Sequence, residues 1–154
     1  MNIILRRAKI SDLVSIQALA SELMQSHKAI DPLLEQNWYF EDHGKKYLLG
    51  NIRGRNQVCY VAVNEDAIIG YATGAVLKQE SWRPIKRAEL TNLIVTREYR
   101  NHGVGHLLIA AFKEWGVSKG AERFMVMTHD QNKAALKFYE DNGFKAHLIT
   151  LESD

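Results

Sequence analysis

Cysteine and long apolar runs are both scarce in this chain of 154 residues. The single cysteine, Cys59, excludes a disulfide within the chain, and its place in the apolar run 58–63 predicts a buried small side chain. No apolar stretch approaches the roughly 20 residues that span a bilayer, and the first charge, at Arg6, comes too early for the apolar region of a signal peptide. We therefore expect a cytoplasmic protein without a membrane partner.

A large excess of one charge is also missing. Twenty basic residues stand against 18 acidic ones, which leaves a net charge of only +2. Such a balance does not make a polyanion-binding surface, so no nucleic-acid partner is expected. With 46% hydrophobic residues, no linker and no shift in composition, the chain is expected to form a single domain, residues 1–154, around one core.

Apolar periodicity predicts alternating helices and strands. Ser11 is the expected N-cap of a first helix. A hairpin is predicted from runs 58–63 and 67–77, in which two glycines, Gly70 and Gly74, mark bulges or close backbone approach. Further strands are predicted at residues 89–95, 123–128 and 144–151, and a helix at 107–117 that Gly116 and Gly120 end. This order predicts an α/β fold with a mixed sheet between helices on both faces.

The most informative segment is the glycine-containing turn 100–105, which joins the apolar run 90–95 to the helix at 107–117. Unpaired N–H groups in a first helical turn converge on an anion, and two glycines let the backbone approach a diphosphate. Arg100 could add a charged fork to the same oxygens. A dinucleotide fingerprint is excluded, because Leu108 stands where its third glycine belongs. The turn alone is equally consistent with an ordinary loop that carries a surface arginine.

A second segment, residues 132–144, reads Asn-x-x-Ala-x-x-Phe-Tyr-x-x-x-Gly-Phe, and the turn reads Arg-x-x-Gly-x-Gly. Together with the strand-to-helix pattern of residues 4–12, these motifs resemble the GNAT family of N-acetyltransferases. The resemblance covers nearly the whole chain and is weakest between residues 25 and 57. It implies the GNAT fold, a single domain with a mixed, mostly antiparallel central sheet.

The resemblance also implies that acetyl-CoA is the co-substrate and that its acetyl group passes to a primary amine by direct attack in a ternary complex. The diphosphate would rest on the turn, whose predicted binding residues are Arg100, Asn101, His102, Gly103, Val104, Gly105 and His106. The pantetheine arm would pair with backbone groups of Leu93, Ile94 and Val95. Asn132 is expected both to cap the last helix and to contact the arm, and Phe138 to belong to the core and touch the arm.

Two residues are predicted to be catalytic. Tyr139 would give a proton to the departing thiolate, because an unperturbed phenol has a pKa near 10. The resemblance implies that Glu89 accepts the proton of the amine, usually through water. Strand alternation is expected to place Glu89 on one face with Thr91 and Leu93, a face that could open toward the acceptor. A structural role for Glu89 as partner of Lys86 or Arg87 is equally consistent with the sequence.

Two further alternatives for the base stay open. His129, at the end of a predicted strand, has an ordinary pKa near 6.5 that suits base chemistry at neutral pH. An amine that is deprotonated before it binds would need no base at all.

No metal is expected. His102 and His106 have helical ligand spacing, but the glycine turn lies between them and no carboxylate completes a set. The Gly-x-Ser-x-Gly pattern at 116–120 follows a helix, whereas a hydrolase elbow follows a strand.

The acceptor is the part of the function that the sequence specifies least. Segments 25–57 and 78–88 carry aromatic residues that could line an acceptor pocket or mediate a homodimer: Trp38, Tyr39, Phe40 and Trp82. They also carry basic residues, which predict a rim that repels polycations and favours a small neutral or acidic amine, or a peptide: Lys45, Lys46, Arg53, Arg55, Arg83, Lys86 and Arg87. A CoA-binding sensor without turnover and a pure interaction domain are the competing classes. A tyrosine and a carboxylate at the expected places favour the enzyme.

Overall fold

The structure is a computed structural model that describes residues 1–154. One five-stranded sheet contains, in spatial and chain order, β1 (Ile3–Arg7), β2 (Gln57–Asn64), β3 (Ala67–Val76), β4 (Arg87–Val95) and β5 (Arg123–Val126). Neighbouring strands are antiparallel except for the last pair, in which β5 runs parallel to β4. The prediction of a mixed, mostly antiparallel sheet is confirmed.

Four helices cover both faces of this sheet: α1 (Leu13–Lys28), α2 (Asp42–Arg53), α3 (Val104–Ser118) and α4 (Lys133–Asp141). Side chains of α1 and α2 enter one buried cluster, whose members include Ile16 and Leu48. Side chains of α3 enter a second cluster that includes Phe112, and α4 packs Phe138 against it. None of these helices has both the length and the apolarity that crossing a bilayer demands.

Gly70 and Gly74 mark close backbone approaches, as predicted. A side chain at Gly74 would lie 2.5 Å from the ring of Phe112, and one at Gly70 would lie 2.8 Å from the carbonyl oxygen of Ile94. The absence of Cβ atoms therefore lets α3 and β4 pack directly against β3.

The pairing of β3 with β4 contains a bulge. Thr73 lies opposite Asn92, whereas the next residue, Gly74, lies opposite Leu90. Thr91 is therefore an extra residue in β4, and such an insertion disturbs the ladder and increases the local twist.

The bulge reverses which face of the sheet the side chains of β4 occupy. Leu90, before it, and Leu93, after it, both pack toward the α3 side, although they are three residues apart. Ile94 packs into the cluster under α1 and α2. By alternation from Leu90, Glu89 also lies on the α1 and α2 side, so the expectation that Glu89, Thr91 and Leu93 share one face is wrong.

Two predicted helix boundaries are corrected. Ser11 lies inside a 3₁₀ turn, and the N-cap of α1 is Asp12, whose carboxylate accepts bonds from the Lys9 N–H and the Arg6 guanidinium. Gly116 does not end α3, because the helix continues to Ser118. The glycine is needed there for packing, since the ring of Phe124 fills the space that a side chain at Gly116 would need.

The predicted strand at 144–151 does not form, and β5 is shorter than predicted, ending at Val126. Residues 145–154 are all exposed, and β5 pairs only with β4. A strand needs a partner for its backbone groups, and residues 144–151 pair with no strand of the sheet.

Candidate active site

Strands β4 and β5 separate beyond the pair Leu90 and Val126, where their ladder ends. The gap between them opens into a cavity of about 100 Å³ that is partly open to solvent. It is lined by residues of α1, β4, β5 and α4 and of the segment after β5: Leu23, Ser26, His27, Leu90, Thr91, Asn92, Leu93, Val126, Met127, Thr128, Asn132, Ala135 and Tyr139. No Lys, Arg, Asp or Glu is among them.

The glycine turn brings unpaired backbone donors to one end of β4. Asn101 and Gly103 have φ values of 62° and 80°, and α3 begins directly after them. The first backbone hydrogen bond from α3 to the turn is donated by the N–H of Leu107 to the carbonyl of Gly103. The N–H groups of residues 104–106 therefore have no acceptor in the chain. A side chain at Gly103 would meet nothing within 4 Å. Open donors of this kind at a helix start suit an anion.

The second glycine of the turn has a different role from the predicted one. A Cβ at Gly105 would lie 2.8 Å from the ring of Phe138, so this glycine admits α4 rather than a ligand. His106 supports the same contact, because its Nδ1 lies 2.9 Å from Oδ1 of Asn142 and its ring packs on Phe138. The turn and α4 are thus one packed unit.

The side chains of Arg100 and His102 already have partners. Nε of Arg100 donates to the carbonyl of Val95 at 2.9 Å, and Nη2 lies 3.6 Å from Glu22. Nδ1 of His102 lies 2.8 Å from the carbonyl of Arg100. Both side chains therefore shape the turn.

The open edge of β4 presents the backbone of alternate residues. The N–H of Thr96 bonds to Ile69 of β3, so alternation turns Ile94 toward β3 as well. The backbone groups of Leu93 and Val95 then face the gap. This geometry favours Leu93 and Val95 over Ile94 for pairing with an extended ligand.

Tyr139 and Asn132 reach the cavity from α4. Oδ1 of Asn132 accepts from the Ala135 N–H at 3.1 Å, which confirms the predicted N-cap. The hydroxyl of Tyr139 has no hydrogen-bond partner within the chain, and burial raises its pKa to about 12. The phenol is therefore protonated at neutral pH and free to donate.

Glu89 is half-buried beside the cavity but is not part of its wall, which begins one residue later at Leu90. Burial raises the pKa of its carboxyl, against the opposing effect of Arg87. Neither Lys86 nor Arg87 forms an ion pair with it, and the Arg87 guanidinium instead contacts the sulfur of Met125 at 3.8 Å.

Helix α1 contributes to the cavity, although its sequence does not indicate this. His27 lines the cavity, and its ring meets that of His129 edge to face at 5.6 Å between centroids. Burial, followed by the proximity of His129, lowers the pKa of His27. No local pattern indicates this pair, because His27 meets His129, which follows β5, only through tertiary packing.

A buried polar network fixes β4 just after the bulge. Nδ2 of Asn92 donates to the hydroxyl of Tyr39 at 2.9 Å and to that of Tyr71 at 2.8 Å. Burial raises the pKa of both tyrosines. Tyr39 is therefore a core residue and not the pocket or dimer aromatic that was expected, whereas Phe40 and Trp82 are exposed.

The predicted basic rim is not at the cavity. None of its seven members lines the wall, so their charge gives no argument about the acceptor.

Comparison with known proteins places residues 17–144 in the acetyltransferase (GNAT) family model. The matched stretches span only 22% and 55% of the curated relatives' lengths. One of these relatives, N-alpha-acetyltransferase 30 of Schizosaccharomyces pombe, is 31% identical over 86 residues, which are 55% of this chain.

Solved structures agree in fold. A mutant of the BH1408 protein from Bacillus halodurans has a TM-score of 0.89 at 19% identity, covering 98% of each chain. The aminoglycoside N-acetyltransferase AAC(6')-Iy in complex with CoA has a TM-score of 0.79 at 18% identity, covering 99% of this chain and 94% of that one.

The buried network generates a stability prediction. Asn92→Leu keeps the branched shape of the side chain but leaves two buried tyrosine hydroxyls without their donor, which should cost about 1–3 kcal/mol of unfolding free energy. Urea denaturation measures this loss. Adding Tyr39→Phe and Tyr71→Phe to Asn92→Leu should restore most of it, and an equal or larger loss in the triple variant would contradict a polar role.

Proposed function

Since the chain belongs to the GNAT family of acetyl-CoA-dependent N-acetyltransferases, we propose that it moves the acetyl group of acetyl-CoA to a primary amine. The amine belongs to a small molecule or peptide and attacks the thioester directly in a ternary complex. One observation carries the proposal: the open edge of β4 and the free hydroxyl of Tyr139 border the same cavity, and the turn that holds the unpaired donors of α3 packs against the helix of Tyr139 through Gly105 and Phe138. An anion cradle, an extended edge and a hydrogen-bond donor therefore lie on neighbouring elements.

In the proposed complex, the diphosphate accepts from the N–H groups of residues 104–106, and the pantetheine arm adds to β4 like a further strand. Leu93 and Val95 offer the outward backbone groups for that pairing. Since Leu93 also lines the cavity, its N–H is the proposed donor to the oxyanion of the tetrahedral intermediate. A comparable donor elsewhere is worth about 3–4 kcal/mol of transition-state stabilisation.

Tyr139 is the proposed donor to the departing sulfur. With a pKa of about 12, its phenol holds its proton more firmly than a thiol, whose ordinary pKa is about 8.5. Full transfer to the thiolate is therefore uphill, contrary to the expectation of an unperturbed phenol. The hydroxyl acts instead by donating a hydrogen bond to the sulfur as its negative charge develops.

Glu89 remains the proposed base, acting through water, because it lies on the α1 and α2 side and precedes the cavity wall by one residue. Its raised pKa makes it a better proton acceptor than an ordinary carboxylate. The pair of His27 and His129 is the competing base. The lowered pKa of His27 keeps its imidazole uncharged at neutral pH, so that it can accept a proton.

The cavity wall favours an acceptor without several positive charges. Its polar side chains are amides, hydroxyls and the His27 imidazole, which do not neutralise a polycation. A small amine that binds uncharged fits this lining. The lining, and not the predicted basic rim, therefore favours a neutral acceptor.

The cofactor cradle is tested by Gly103→Glu, which places bulk and negative charge where the diphosphate should lie. Calorimetry should show at least about a hundredfold weaker acetyl-CoA binding, since a repulsive charge replaces an attractive site. Gly120→Glu is the matched control, because Gly120 has the same left-handed conformation, φ 82°, at the far end of α3. Equal affinities of the two variants would refute the cradle.

The role of the phenol is tested by Tyr139→Phe. Turnover should fall about 10- to 100-fold with acetyl-CoA affinity within a few-fold, because the hydrogen bond forms mainly as thiolate departs. Tyr60→Phe, which removes a hydroxyl outside the cavity, should keep wild-type turnover. A parallel loss of binding and turnover would make Tyr139 a structural residue.

The base is tested by the pH dependence of kcat/KM. A general base works in its deprotonated form, so kcat/KM rises with pH through the pKa of the base and forms the acidic limb of the profile. That pKa lies above the ordinary carboxyl value if Glu89 is the base and below 6.5 if His27 is the base. Glu89→Gln should reduce the rate most below the pKa of the amine and remove that limb. A constant ratio to wild type at every pH, with the limb lost instead in His27→Gln, would assign the base to the histidines.

A further inference from the structure

A second opening lies on the α3 side of the sheet, apart from the candidate active site. It is a surface groove of about 440 Å³ between the end of α3 and two neighbouring strand residues, Arg7 of β1 and Tyr60 of β2. The wall of the groove consists of Arg7, Tyr60, Glu114, Trp115, Ser118 and Lys119. None of these residues lines the cavity between β4 and β5, so the two openings are separate.

Sheet and helix hold the wall of the groove in place. Arg7 lies directly opposite Tyr60 in the ladder of β1 and β2, and Tyr60 packs against the buried cluster under α3. The other four residues are spaced i, i+1, i+4 and i+5 along α3 and its C-cap, and this spacing places them on one helix face. Among them, the hydroxyl of Ser118 donates to the carbonyl of Trp115 at 2.6 Å. The groove is therefore a preformed feature of the fold.

The most informative residue of the groove is Trp115. It is only 5% exposed, and its indole N–H has no hydrogen-bond acceptor in the chain. Three buried side-chain atoms of the chain lack a partner, and this nitrogen is the one among them that can only donate. Buried donors are rarely left unpaired, because burial removes the hydrogen bond that water would provide. Since Trp115 lines the groove, a ligand there can supply the missing acceptor.

The charged side chains of the groove also lack partners. Arg7 and Lys119 are positive and Glu114 is negative, and none of the three forms an ion pair. The two cations match an anionic group, and a carboxylate accepts well from guanidinium, ammonium and indole donors. A plain anion would leave Glu114 without a partner, and a polycation would meet two like charges. A ligand with one carboxylate and one ammonium group matches all three side chains.

From these observations we propose that the groove binds a free α-amino acid. Its carboxylate pairs with Arg7 and Lys119 and accepts from the indole N–H of Trp115. Its ammonium group pairs with Glu114, and its side chain packs on the ring of Tyr60. The site goes beyond the proposed acetyl transfer, because it shares no residue with the cavity and binding there needs no acetyl-CoA.

The test is nuclear magnetic resonance of the full, isotope-labelled chain without acetyl-CoA. The chain has three tryptophans and therefore gives three indole N–H signals. Trp38→Phe and Trp82→Phe identify two of them, and the third belongs to Trp115. We expect at least one of the common L-amino acids, added singly at millimolar concentration, to move the Trp115 signal saturably. The signals of Trp38 and Trp82, which lie outside the groove, should stay in place.

Two analogues of that amino acid separate the contributions of its charges. Its carboxamide lacks the carboxylate and its N-acetyl form lacks the ammonium group, so each should bind at least about tenfold more weakly. Arg7→Gln should weaken binding of the amino acid to a similar degree and keep the circular dichroism spectrum, because Arg7 is exposed. Arg55→Gln is the matched control, since Arg55 is also exposed but lies outside the groove, and it should keep wild-type affinity.

A Trp115 signal that no amino acid moves would leave the groove to solvent alone and overturn the proposal. Equal affinity for the carboxamide or for the N-acetyl form would contradict recognition of both charges. Equal affinities of Arg7→Gln and the wild-type chain would place the ligand elsewhere on the protein.

Discussion

The one-residue bulge at Thr91 is the constraint on which the site depends. Strand β4 pairs with β3 along its whole length but with β5 only as far as Leu90. A regular ladder would have used the outward backbone groups of Leu93 in sheet pairing. Because the bulge twists β4 away and reverses its faces, those groups open onto a cavity, and Glu89 comes to lie on the side of α1 and α2. Ladder hydrogen bonds are thus exchanged for an edge that a ligand can use.

Two packing devices keep that opened geometry in place. Asn92 ties the strand to two buried tyrosines immediately after the bulge, where the ladder to β5 is absent. On the other side of the gap, Gly105 admits Phe138 at a distance that no other residue would allow. The turn and the helix that carries Tyr139 are therefore held at a fixed separation.

Local signals in the sequence were sufficient for much of this account. The hairpin, the turn at 100–105 and the N-cap at Asn132 each rest on residues close together in the chain, and the structure confirms their conformations. The face of Leu93 could not be predicted, since an inserted residue is visible only against the partner strand. His27 and Tyr39 depend on how α1 and the segment before α2 pack on the sheet, and no periodicity within those segments reports it. The pattern at 144–151 is that of a strand, but no strand forms there, because a pattern does not supply the neighbour that the backbone groups need.

We propose above all that the turn and the open edge of β4 together hold acetyl-CoA. A crystal structure of the chain with acetyl-CoA tests this most directly. We expect the diphosphate within hydrogen-bonding distance of the N–H groups of residues 104–106, the pantetheine arm paired with Leu93 and Val95, and the thioester sulfur beside the hydroxyl of Tyr139. Acetyl-CoA bound at another surface, or a sulfur remote from Tyr139 with the diphosphate on the turn, would contradict it.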